Sequence, residues 1–184
     1  MAAVSVVVAE YDLAWPERFA RYAASLREAL GDRASRIDHI GSTAVPGLAA
    51  KDVIDIQVSV TGFEPFEPLR AGIEGAGFEW IPDNDDRRKR FFRLVGAGDR
   101  RLANIHVRNL GEFSEQAALL FRDYLRATPE ARHRYEETKR TLATRTWPSV
   151  DDYADAKGDC VWALIREADR WAWDVAWVAG PSDH

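Results

Sequence analysis

Apolar residues recur along this chain with two different periods, and the period changes near residue 110. Val4 to Val8 is short, apolar and β-branched, which predicts a first strand. Pro16 suits the first turn of a helix, where its missing N–H costs nothing. Trp15, Phe19, Tyr22, Leu26 and Leu30 then form a helical stripe that Gly31 closes. Arg36 to Ile40 predicts a second strand that runs straight into Gly41-Ser42-Thr43. From Val53 to Val60 the alternation is strict. Ile54, Ile56, Val58 and Val60 share one face, and Asp55, Gln57 and Ser59 share the other. A helix over Pro65 to Ala76 follows. Beyond the charged loop Asp83 to Lys89, strands at about Arg90–Val95 and Leu102–Arg108 flank Gly96-Ala-Gly98-Asp99, the pattern of an antiparallel hairpin.

The remaining chain has helical spacing. Ser114 is a candidate N-cap for a helix turning Ala117, Phe121, Tyr124 and Leu125 inward. Thr128-Pro129 stops that helix and starts another, which Trp147-Pro148 stops in turn. Ser149 followed by Asp152 has the form of a capping signal. One last helix is then expected to carry Val150, Tyr153, Val161, Leu164, Ala168 and Trp171 on a single stripe. No internal repeat or Gly/Pro/Ser-rich linker divides the chain. The expectation is a single α+β domain over 1–184: a mixed sheet flanked by helices at about 4–110, then a helical part at about 113–178.

Composition narrows the class. In 184 residues, 46% hydrophobic and 30% charged content is that of a globule with a real core. A single cysteine, Cys160, cannot form an internal disulfide. The start of the chain lacks a signal-peptide pattern and no window of about 20 apolar residues occurs, so a cytoplasmic protein is expected. A net charge of −5 argues against a general nucleic-acid surface. The cations of the helix from Arg132 to Arg145, Lys139 among them, interleave with Glu130, Glu136 and Glu137, which is the pattern of a solvated face.

Candidate chemistry concentrates between His39 and Gln57. A Gly-Ser pair leaving a strand can present backbone N–H groups and a hydroxyl to a phosphate. The next strand returns Asp55, a carboxylate able to hold a divalent cation. His106 on the later hairpin strand can ligate or exchange a proton near neutral pH, and Arg93 can reach a phosphate. Lys157 falls on the stripe that should face the core. A buried ammonium needs a carboxylate or an anionic ligand, and Asp55 is a candidate partner. The structural alternatives are a tight turn that simply needs glycine, a carboxylate tied to that turn, and a satisfied interior histidine.

Several segments together carry a family resemblance: Tyr11-Asp-Leu-Ala-Trp-Pro, His39-Ile-Gly-Ser-Thr-Ala-Val-Pro-Gly-Leu, Lys51-Asp-Val-Ile-Asp-Ile, Phe91-Phe-Arg, Ile105-His-Val, Leu120-Phe-Arg-Asp-Tyr-Leu-Arg and Tyr153-Ala-Asp-Ala-Lys. On these the sequence resembles the GrpB family, which is similar to the nucleotidyltransferase fold of the polymerase β superfamily. Some relatives in that family are domains fused to dephospho-CoA kinase. The resemblance implies a nucleotide or another phosphorylated small molecule as ligand. His39, Gly41, Ser42, Thr43, Lys51, Gln57, Arg93 and Lys157 would be its binding residues, and Asp55 and His106 the catalytic candidates. It also implies Mg²⁺ at Asp55, in a superfamily that holds two metal ions on paired carboxylates with a third carboxylate nearby. Gln57 stands where the second carboxylate belongs, and Ala103-Asn104 stand where family members commonly carry histidines. Two readings therefore remain open: a metal-dependent nucleotidyltransferase, or a non-catalytic binding module with a degenerate metal site.

Overall fold

The computed structural model describes residues 3–83 and 86–184, so two residues of the charged loop at 83–89 lie outside the described residues. Its centre is a five-stranded mixed sheet, in the spatial order β2 (Arg36–Ile40), β3 (Ile54–Val60), β6 (Arg101–Asn109), β5 (Lys89–Val95) and β4 (Glu79–Trp80). β3 and β6 run parallel and the other pairs antiparallel. This is the expected α+β class with a mixed sheet. The expected hairpin is β5–β6, with a register shift at Leu94/Val95. β4 was not expected, because two residues are too few to show an alternation. The first expected strand shrinks to β1 (Val4–Ser5), which pairs with β7 (Thr146–Trp147) away from the main sheet.

One sheet face is apolar and is covered by α1 (Trp15–Leu30) and α2 (Phe66–Gly75). Ile54, Ile56, Val58 and Val60 enter this core with Ile105, Val107, Phe92 and Ile37, against Trp15, Phe19, Leu26 and Ile73. Fully burying one such side chain contributes about 1.5–3 kcal/mol, so this layer sets the sheet's position.

The opposite face is polar and is shared between a helix and a cavity. α3 (Phe113–Ala127) covers the end of the sheet that carries Gln57 and Ser59, and both of these are fully buried. The polar half of the β3 alternation is thus largely interior. Glu115 makes that tolerable: its carboxylate accepts from Ser59 Oγ at 2.8 Å and its main-chain oxygen accepts from Gln57 Nε2 at 3.2 Å. Ser114 lies inside α3 and makes no cap; Glu112 occupies the N-cap position.

α4 (Pro129–Ala143), α5 (Val150–Asp155) and α6 (Gly158–Val175) complete a helical layer. Val45, Leu48, Tyr124, Leu125, Ala131, Tyr135, Leu164 and Ala168 form a second core there. The expected single last helix is broken. Ser149 does cap its start, accepting from Asp152 N at 3.1 Å, but α5 stops at Asp155 and a new helix begins at Gly158. No helix among the described residues is long and apolar enough to cross a membrane.

Candidate functional site

Strand register dictates what the uncovered part of the polar face presents. Ile40, Asp55, Asn104 and Arg93 lie in one cross-strand row. Gln57, His106 and Phe91 lie in the next, and paired residues share a face. At the β5–β6 side, Asp55, Asn104, His106, Phe91, Lys89 and Arg93 line a cavity of about 630 Å³ between the sheet and the helical layer.

The glycine turn forms the edge of this cavity. Gly41 has φ +70°, a region L side chains rarely adopt, and a Cβ placed on it would lie 2.7 Å from Asp55 Oδ2. Glycine is therefore required twice, by conformation and by contact. Ser42, Thr43 and Ala44 continue as one 3₁₀ turn, with Ser42 and Thr43 on the cavity. Asp55 Oδ1 accepts from Asn104 Nδ2 at 2.8 Å and faces His106 Nε2 at 3.5 Å. Burial pushes the Asp55 carboxyl up, but these two partners and the nearby Lys51 outweigh it, so it ionises below the ordinary carboxylate range. Burial holds His106 below the ordinary imidazole value despite the carboxylate beside it.

Three ammonium groups reach the cavity from three separate elements. Lys51 precedes β3, Lys139 comes from α4 and Lys157 from the break between α5 and α6. Lys51 Nζ and Lys157 Nζ sit over the same Tyr153 ring, 5.6 and 5.1 Å from its centre. Lys139 is 3% exposed, lies over the Tyr135 ring and donates to Ala49 O. Burial, with the charge of Lys157 adding to it, lowers Lys139 to about 7 and Lys51 to about 8. Burial lowers Lys157 as well.

The site's charge is unevenly compensated. Six basic side chains (Lys51, Lys89, Arg93, Arg101, Lys139, Lys157) and five carboxylates (Asp55, Asp83, Asp86, Asp151, Asp155) line the cavity. Asp151 answers two of the cations, standing 3.6 Å from Arg93 and 3.7 Å from Arg101. Among the described residues, no carboxylate forms an ion pair with any of the three lysines. The two ammonium groups over Tyr153, those of Lys51 and Lys157, thus lack a direct ion pair, although Asp55 acts on both at longer range.

Of the residues singled out from sequence, the structure brings Gly41, Ser42, Thr43, Lys51, Asp55, Arg93, His106 and Lys157 together on this cavity. It sets two aside. His39 is buried, stacked on Phe19 at 4.7 Å, with Nε2 3.0 Å from Thr43 Oγ1, and burial lowers it to about 3. It braces the turn and does not line the cavity. Gln57 is turned under α3, where its Oε1 accepts from Arg108 at 2.5 Å. Lys157 forms no direct ion pair with its candidate partner Asp55, although that carboxylate acts on its charge; the helix break lifts it off the core stripe onto the cavity wall. Lys139 is a correction of the solvated-face expectation. It follows Ala131 and Tyr135 at four-residue spacing, and both of those are core residues, a signal present in the sequence but masked by the helix's many charges.

Comparison with known proteins places these features in a family. The family model described as GrpB protein matches residues 5–167. The UPF0157 protein of Halalkalibacterium halodurans is 37% identical over 165 residues, covering 89% of this chain and 83% of that protein. The dephospho-CoA kinase of Mycolicibacterium paratuberculosis is 36% identical over 188 residues, covering 90% of this chain but 45% of the kinase, so the match spans about half of that protein. The crystal structure of the conserved protein GrpB from Enterococcus faecalis superposes with a TM-score of 0.79 at 31% identity, covering 91% of this chain and 99% of that one.

Proposed function

The chain belongs to the GrpB family, and on that premise we propose that it binds a nucleotide or another phosphorylated small molecule in the cavity between sheet and helices. One observation carries the reading: Lys51, Lys139 and Lys157 line the same cavity as the Gly41–Thr43 turn without a carboxylate ion-pair partner among the described residues. Three like charges held together in a half-buried site destabilise one another until an anion arrives. Phosphate oxygens answer such a cluster, with the Ser42 hydroxyl as a further donor.

The donor set favours binding without turnover. Two metal ions of the kind the family resemblance implies do not fit it. The second carboxylate position is Gln57, which is locked under α3, and Asn104 on the neighbouring strand is a neutral donor to Asp55. No transfer step is therefore derived.

Thermal unfolding with ATP, ADP, pyrophosphate and adenosine tests the reading. The phosphorylated compounds should raise Tm progressively with concentration, adding about 2.7 kcal/mol of stability at a hundredfold excess over Kd, whereas adenosine should not. No shift with any of the phosphorylated compounds, or an equal shift with adenosine, would contradict the proposal. Incubation with nucleoside triphosphates, Mg²⁺ and candidate acceptors should release no pyrophosphate. Release that Asp55→Ala abolishes would make the protein a transferase.

A further inference from the structure

We infer that the cavity holds linked phosphates without a divalent cation, Lys51, Lys139 and Lys157 supplying the positive charge that metal ions would otherwise bring. This deepens the phosphate-binding reading and rests on it. The first ground is the state of the acidic side chain on the sheet. One oxygen of Asp55 is occupied by Asn104 at 2.8 Å and by His106 at 3.5 Å. The other packs so closely on Gly41 that a methyl group there would stand 2.7 Å away. A divalent ion such as Mg²⁺ takes a near-octahedral set of oxygens, usually from one or two carboxylates, waters and the phosphate itself. Among the described residues no group of three or more His, Cys, Asp or Glu side chains is placed to hold such an ion, and Asp55 is its one candidate carboxylate on the sheet. Of the four other carboxylates on the cavity, Asp151 faces Arg93 and Arg101, and Asp86 faces Arg88.

The second ground is what stands in their place. Ammonium groups from a loop, from α4 and from the α5–α6 break line one cavity, two of them within 5.6 Å of the centre of a single tyrosine ring. A metal-bound phosphate arrives with part of its charge already neutralised and gains less from three further cations. A bare one gains most. A phosphate monoester offers few oxygens at one point, whereas two linked phosphates can reach ammonium groups carried on three separate elements. The predicted ligand class is therefore a diphosphate or longer phosphate chain, free or carried on an organic group.

Calorimetric titration of the full chain with inorganic pyrophosphate, in EDTA and again in excess Mg²⁺, decides the point. Binding should be as tight or tighter in EDTA, tighter than binding of inorganic phosphate, and at least about tenfold weaker in Lys51→Met and Lys157→Met. Free Mn²⁺ followed by electron paramagnetic resonance should show no stoichiometric uptake by the protein alone. Pyrophosphate binding that appears only with Mg²⁺, or Mn²⁺ uptake lost in Asp55→Asn, overturns this inference and leaves the phosphate-binding reading intact. Binding in EDTA that both lysine variants retain in full overturns the lysine assignment. Absence of binding under both conditions overturns the inference and the reading beneath it.

Discussion

Lys139 gives the cavity a dependence on pH. Burial and Lys157 lower it to about 7, while Glu136 pulls it upward and Arg140 downward; Lys51, at about 8, faces Lys157, Asp55, Arg101 and Asp151. Below pH 7 Lys139 is charged in both folded and unfolded chains, so the cost of burying its charge is felt in full. As pH rises through 7 the folded chain loses that proton while the unfolded chain keeps it to about 10.5. The unliganded protein should therefore gain stability from this group between those limits, measurable as a urea midpoint that rises with pH. Phosphate affinity should run the other way. It should weaken as pH climbs through 7 and 8, and calorimetry in buffers of different ionisation enthalpy should register proton uptake on binding. Pyrophosphate affinity that stays constant from pH 6.5 to 8.5, once the ligand's own ionisation is accounted for, would refute this account of Lys51 and Lys139. Gly41 yields a structural prediction. Gly41→Ala meets Asp55 Oδ2 in a positive-φ position and should cost about 1–3 kcal/mol of stability in urea unfolding; a loss below a few tenths would mean that the turn is looser than described.

At the scale of elements, α5 is short enough that its cap decides whether it forms. Ser149→Ala removes the acceptor for Asp152 N and should cost about 1 kcal/mol. Because the end of α5 delivers Lys157, the same change should also weaken pyrophosphate binding, whereas a loss of stability alone would separate the helix from the site. Strands β2 and β3, the β5–β6 hairpin and the Ser149 cap were legible in the sequence because alternation and capping are local signals. The α5–α6 break was not: Tyr153 and Val161 continue a helical stripe straight across it, and only the convergence of three ammonium groups makes Lys157 intelligible. For the same reason eight of the ten candidate residues lie on the cavity while His39 and Gln57 lie away from it. Period-2 alternation assigns a residue to a face of the sheet; whether α3 or a cavity lies over that face is a tertiary matter.

Across the whole molecule, residues 180–184 tie the last helix back to the free edge of the sheet. Ser182 Oγ accepts from Ile37 N at 2.9 Å and donates to Ile37 O at 3.0 Å. Asp183 Oδ2 accepts from His39 N at 2.9 Å and from the buried Arg122 at 2.8 Å. Side chains thus take the place of a sixth strand along β2, protecting an edge that would otherwise offer its N–H and C=O groups to another chain. Removing residues 180–184 should cost about 1–3 kcal/mol, since the buried Arg122 loses one of its carboxylate partners, and should promote self-association in sedimentation velocity. A monomer of unchanged stability would refute that role. The strap lies along β2, whose end becomes the Gly41 turn, so one continuous arrangement links edge, turn and cavity.

The most direct test of the central claim is where a phosphate settles. A crystal structure of the protein with pyrophosphate should place the anion within hydrogen-bonding distance of the Nζ atoms of Lys51, Lys139 and Lys157, beside Ser42. An anion bound elsewhere, or a cavity closed by apolar side chains with the three lysines turned to solvent, would contradict the account.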